Sequence, residues 1–342
     1  LVLAASGFAY SFLALYEVRM SPQLNNIFYG YFPSSWRQHL RGGGFRPIVF
    51  LKHGLFLGVF LTCSMMAAVA YMRILEPKQK APFWAVIVWI TLALVLAKTF
   101  TAFIIAIFLA PVVLLLTPRV QVMVAAVVAL TVLFYPLVRG AGLIPTQAIV
   151  SQIAVIDAGR ASSLQFRLNN EDILLAKANE RPLFGWGGWG RFRVYDENGK
   201  DISTTDGRWI ISIGGEGWFG YLSRFGLLTV PIVLMMLRRK KYEISTATSS
   251  LCLILAANLV DLIPNAGLTT VTWLIAGALL GRLETEAVQM SETASPVPIE
   301  PDRRTGTQYS RPRPQKQRWP SSDGTRTDQP GYTRRTAQHS ET

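Results

Sequence analysis

Gly54 to Met72 is a run of 19 residues without a charged side chain. As a helix rising about 1.5 Å per residue, it nearly crosses a bilayer core of roughly 30 Å. Similar apolar runs occupy residues 1–16, 81–97, 101–116, 120–138, 217–237, 244–260 and 262–281. So many runs of this length are the mark of membrane-spanning helices rather than of a large water-soluble core. Only 16% of the residues are charged, where soluble domains carry about a quarter.

The expected fold is therefore an all-α polytopic membrane protein. About five spans are expected in residues 1–138, a large polar loop domain in 139–212 and three spans in 213–282. Residues 283–342, rich in Thr, Arg, Pro, Gln and Ser without an apolar period, read as a disordered tail. The first run already includes residue 1, so the reading is of an N-terminally truncated chain with earlier spans missing.

Charge placement orients the bundle. The formal net charge is +13, and the excess lies in short loops at span ends, where basic residues mark the cytoplasmic side. It forms no single basic stripe, which argues against nucleic acid as a partner. Arg238-Arg-Lys-Lys241 is the strongest basic cluster beside a span, so it and the tail are expected inside. Alternation then puts Arg139–Ser212 outside, with the bilayer as the protein's solvent. Arg37, Arg41, Arg46 and Lys52 also fall outside, against the usual tendency.

The outer polar region holds nine basic and eight acidic residues. Residues 148–180 have helix-like apolar spacing with breaks at Gly159 and at Asn169-Asn170. Arg160 and Arg167 share one face of a continuous helix, an arrangement suited to a pyrophosphate because guanidinium forks bind anionic oxygens in pairs. The competing reading is a solvated loop whose arginines pair with Asp157, Glu171 or Asp172. Gly185-Trp-Gly-Gly-Trp-Gly190 matches a dinucleotide pattern but lacks the strand before it and the helix after it, so it reads as a turn. Trp186, Trp189, Trp209 and Trp218 are expected as an interfacial belt.

Asp206-Gly-Arg208 lies just before the next span, either as an ordinary turn or as a base beside a cation. Glu216 at a span mouth is costly unpaired, and Arg224, two turns further in, is its natural partner. Arg37 and Arg41 are spaced as helix neighbours, and with Arg46 they form a second cationic group, either anion-binding or merely snorkelling. Asp261 and Asn265 read as turn formers. Cys63 and Cys252 read as inert core thiols, and His39, His53 and His339 lack metal-ligand spacing.

Arg167-Leu168, then Glu180-Arg-Pro-Leu-Phe-Gly-Trp-Gly187, then Gly217-Trp-Phe-Gly-Tyr-Leu-Ser-Arg-Phe-Gly-Leu-Leu228 follow one another in order. This series resembles the O-antigen ligase and Wzy-type polysaccharide polymerase superfamily over roughly residues 30–282. The resemblance implies a GT-C-like helical bundle that transfers a glycan from a polyprenyl-pyrophosphate carrier to an acceptor hydroxyl, with inversion and without metal or cofactor. It implies a bacterial cytoplasmic membrane with the site on the outer side, and other polysaccharide-assembly proteins as partners. Arg167, Asp206 and Arg208 are the expected catalytic residues. Arg160, Arg41, Arg46 and Glu216 are the expected pyrophosphate-binding set. Family ligases carry a histidine where this chain has Asp206-Gly-Arg208, which favours a polymerase-like member. A ligase and a non-enzymatic transporter are the alternatives.

Overall fold

The computed structural model describes residues 1–41 and 43–293. The expected disordered tail lies outside the described residues from 294 onward. Before that point, helix continues through Thr293, beyond the expected tail start at 283.

The described residues are predominantly helical: α1 (Val2–Met20), α2 (Leu24–Tyr29), α3 (Gly54–Ile74), α4 (Pro77–Leu96), α5 (Phe100–Leu115), α6 (Pro118–Gly140), α7 (Thr146–Ile156), α8 (Ala158–Asn179), α9 (Arg208–Arg238), α10 (Thr246–Asp261) and α11 (Thr270–Thr293). Four of them (α3, α4, α6 and α9) are long and apolar enough to cross a membrane, while α5 and α10 are shorter apolar helices. Local chemistry sets the boundaries. Prolines occupy the first turns of α4 and α6, where a missing N–H removes no helical bond. Asp157 and Ser245 cap α8 and α10 with their side chains.

Helix α3 forms the centre and packs against α1, α4, α5 and α10. Small residues set the close approaches: Gly7 lies directly on Ser64, and Gly58 on Thr99. Polar side chains tie helix to helix. Thr62 Oγ1 donates to the Ala102 carbonyl at 2.9 Å and Ser249 Oγ to Gln121 Oε1 at 2.8 Å.

Several local expectations are corrected. Glu17, the first charged residue after the apolar run 1–16, continues α1, and its fully buried carboxylate accepts the N–H groups of Leu24, Ile48 and Val49 at 2.7–3.0 Å. Arg37 and Arg41 are not neighbours on a helix. Arg37 is in a short 3-10 turn, and Arg41 ends the first strand of a two-stranded hairpin, β1 (Leu40–Arg41) with β2 (Gly44–Phe45). In the polar region the chain breaks at Asp157 and α8 runs unbroken through Asn169-Asn170, since Asn170 donates within its own helix to the Phe166 carbonyl.

Helix α9 is broken at Gly217, whose φ of 69° and ψ of −169° are non-helical. The break opens four backbone groups, and the glycine-rich turn binds all of them. Trp186 and Gly187 donate to the carbonyls of Gly214 and Gly215, each at 2.8 Å; Trp218 and Phe219 donate to those of Pro182 and Leu183 at 2.8 and 3.1 Å. The break also changes direction. Trp209 stacks edge-on against Tyr135, while the Tyr221 hydroxyl donates to the Val132 carbonyl. Those partners sit within one turn of α6, yet Trp209 and Tyr221 lie more than three turns apart on α9. The axis of α9 therefore changes direction at Gly217.

Candidate functional site

The loops at one end of the bundle converge. Lys98, between α4 and α5, donates to the Arg41 carbonyl at 2.6 Å, and Arg46 donates to Thr99 at 3.4 Å. The N–H of Arg208 reaches the carbonyls of Leu262 and Asn265, joining the start of α9 to the α10–α11 turn. Among these elements lies a cavity of about 500 Å³. Its mouth carries Arg167, Asp206, Thr205 and His53, and its floor Asn258, Asp261 and Asn265. Its walls are apolar, from Leu3, Leu51, Phe56, Phe60 and Ile275.

Arg167 projects from α8, and its Nε stands 3.4 Å from Asp206 Oδ2. Asn170, one turn along α8, sets this pairing: its Oδ1 accepts the Thr204 N–H at 2.7 Å and pins the strand that carries Asp206. Both partners are more than a third exposed, so the pair contributes about 0–1 kcal/mol and an anionic ligand can compete for the guanidinium. Arg46 is almost fully buried behind the wall, beside Gly54. Burial, then the like charges of Arg41 and Arg167, bring its pKa to about 10, with Asp261 as its opposing charge. It therefore remains charged at neutral pH. Glu17 orders this corner by holding the backbone of Ile48 and Val49.

His53 caps α3, accepting the Leu55 N–H on Nδ1 and meeting Gln38 Oε1 through Nε2. Burial, then the charge of Arg46, pulls its pKa down to about 4. The imidazole at the mouth is thus neutral at pH 7. Among the described residues, no group of histidine, cysteine or acidic side chains has the arrangement to hold a metal ion.

The expected site residues divide. Arg167, Asp206 and Arg46 gather at the cavity, with Arg41 on the exposed hairpin beside them. Arg208 turns away from Asp206. Gly207 is pressed against the Ile263 carbonyl, and the charged neighbours of Arg208 are Arg224 and Glu216. Glu216 is bound bidentately by Arg224, at 2.6 and 2.8 Å, in a different groove. The expected Glu216–Arg224 pair thus forms, and Glu216 does not adjoin Arg167. Arg160 shares a face of α8 with Arg167 but is solvent-exposed, paired with Asp157 at 3.1 Å and stacked over Phe100.

The four tryptophans expected as a belt differ in setting, with Trp218 half-buried against Tyr221. Trp209 is buried against Tyr135, and Trp186 is held between Lys177 and Arg181, with its indole N–H on the Lys177 carbonyl. Trp189 stands free in solvent.

Two groups escaped the sequence reading. Arg139 marked only the edge of the polar region, yet it is buried, 2.5 Å from Asp172 and 3.7 Å from Glu171, which also accepts the Tyr135 hydroxyl. This network locks α6 to α8. Asp261 and Asn265 read as turn formers, and the Asn265 amide does donate to Asp261 at 2.7 Å, but both also line the cavity. Ionisable and amide side chains at the end of an apolar run were the available signal.

No family model, curated protein or solved structure matches this chain.

Proposed function

We propose that this chain is a membrane glycosyltransferase of the O-antigen ligase and Wzy-type polymerase kind. It would move an oligosaccharide from a polyprenyl-pyrophosphate carrier to an acceptor hydroxyl, within a GT-C-like bundle. The observation that carries this reading is the cavity beside Arg167. It joins a polar mouth, where Arg167 stands beside Asp206, to apolar walls inside a helical bundle, and a polyprenyl-pyrophosphate has that same division between charged head and apolar chain. Arg167 is the cation best placed for the pyrophosphate, because it lines the cavity and its ion pair with Asp206 is weak and more than a third exposed on both sides. Arg46 adds a fixed positive charge behind the wall that favours negative charge developing on the leaving group. Asp206, released when phosphate takes its arginine, is positioned to receive the acceptor proton. The basic loop Arg238–Lys241 at the other end supports an orientation with the cavity on the outer side of a bacterial cytoplasmic membrane.

The test is incubation of the purified chain with a polyprenyl-pyrophosphate oligosaccharide, read as glycan length on a gel. A ladder of products is expected, and one transferred unit would mark a ligase instead. Arg167→Ala should abolish the ladder while reaching the membrane in normal amounts. Unchanged substrate with the native chain, or a normal ladder from the variant, would remove this reading.

A further inference from the structure

A second groove, of about 530 Å³, opens on the flank of α9 near α11, away from the cavity of Arg167. Its walls are Phe184, Phe219, Leu227 and Trp273, and at its head sits the Glu216–Arg224 pair. Charge in an apolar groove is expensive unless something uses it. The pair is not sealed: Glu216 is 47% exposed and Arg224 21%. Arg224 Nη1 binds Glu216 and Ser212, and Nη2 binds Glu216. A guanidinium has five N–H groups, so its Nε–H and one Nη2–H lack an acceptor among the described residues. Each Glu216 oxygen likewise keeps a free lone pair.

Glu216 lies one residue from the turn stitched into the break. Arg224 lies below, and side chains on a helix lean toward its N-terminus, so its guanidinium rises to meet Glu216. Trp273, in the first turn of α11, lines the same groove. A charged pair thus tops an apolar groove along two neighbouring helices.

We propose that this groove binds a zwitterionic phospholipid, with the lipid phosphate on Arg224, its primary ammonium on Glu216 and its acyl chains along Phe219, Leu227 and Trp273. The pair presents one cation and one anion side by side, which is the charge pattern of a phosphoethanolamine headgroup reversed. An anionic headgroup satisfies Arg224 but meets repulsion from Glu216. A quaternary choline lacks the N–H groups that Glu216 accepts. The site requires a bilayer and no catalytic activity.

The full chain, purified in mild detergent, is exchanged against phosphatidylethanolamine, phosphatidylcholine or phosphatidylglycerol, and retained lipid is read by native mass spectrometry. Phosphatidylethanolamine is expected to persist about tenfold better than phosphatidylglycerol, the worth of one charge-assisted hydrogen bond. Glu216→Gln should erase that preference, and Arg224→Gln should weaken retention of both lipids. Leu227→Trp fills the groove with the ion pair intact and should expel phosphatidylethanolamine from a chain of unchanged melting temperature. Equal retention of the ethanolamine and glycerol lipids by the native chain overturns the proposal. So does undiminished ethanolamine lipid in the Leu227→Trp chain, which decides the matter if either charge variant fails to fold.

Discussion

Gly217→Ala tests whether the break in α9 is a built junction. The backbone at 217, with φ 69° and ψ −169°, occupies a region open essentially to glycine. Holding another residue there costs about 1–3 kcal/mol. The added methyl would also land on the Leu183 carbonyl. That oxygen cannot yield freely, because it accepts the Phe219 N–H at 3.1 Å. Separation of the two strands loosens the four hydrogen bonds that stitch the glycine-rich turn into the break, each worth about 0.5–1.5 kcal/mol net. Losing two of them brings the expected total to about 4 kcal/mol. The control is Gly226→Ala on the same helix, where a methyl meets nothing within 4 Å. Alanine there should stabilise by about 0.5–1 kcal/mol. Thermal unfolding in detergent compares the two, and limited proteolysis of residues 182–190 reports the turn. Gly217→Ala should melt several degrees lower and be cut faster, and Gly226→Ala neither. A Gly217→Ala chain that melts with the native one would refute the argument, because the turn would then be docked by something other than this backbone geometry.

Arg139→Met leaves Glu171, a largely buried carboxylate, without its cation. A loss of about 1–3 kcal/mol is expected, read by the same melting measurement, and Glu171→Gln in the same chain should restore part of it. For His53, the folded pKa of about 4 lies below the ordinary 6.5. The unfolded chain therefore binds a proton first as pH falls, so the stability from a neutral imidazole is present above 6.5 and lost between 6.5 and about 4. Melting at pH 7 and pH 4.5 should differ less in His53→Gln than in the native chain.

The features legible in the sequence were those written locally. The apolar runs around Gly54–Met72 and Val120–Val138 are continuous in sequence, so length and hydropathy suffice to find α3 and α6. Arg160 with Asp157 is an i, i+3 contact, and Glu216 with Arg224 lies two helical turns apart; both partners are visible from spacing. The start of α9 was not legible, because Gly214-Gly-Glu-Gly217 looks like loop. Its hydrogen-bond partners lie in a separate turn, at Pro182–Gly187, that no local pattern pairs with it.

The same distinction explains why the site arginines sorted as they did. Sequence places Arg167, Asp206 and Arg208 in one polar stretch and cannot say which two meet. Three contacts made elsewhere decide it. Asn170 on α8 holds Thr204, which carries Asp206 to Arg167; Gly207 docks on Ile263; and the Arg208 N–H is drawn to Leu262 and Asn265. Once Gly207 is fixed, the residues on either side must diverge, Asp206 to the cavity and Arg208 toward Arg224. Burial then separates the arginines by availability. Arg139 is buried between a largely buried carboxylate and an exposed one, and Arg160 is paired with a carboxylate in solvent, whereas Arg167 holds a weak pair at the mouth of an apolar cavity. An anion arriving there displaces a single exposed ion pair, whereas at Arg139 it would have to break a largely buried network worth about 1–3 kcal/mol. Arg160 and Arg167 both hold weak, exposed pairs, and of the two it is Arg167 that lines the cavity.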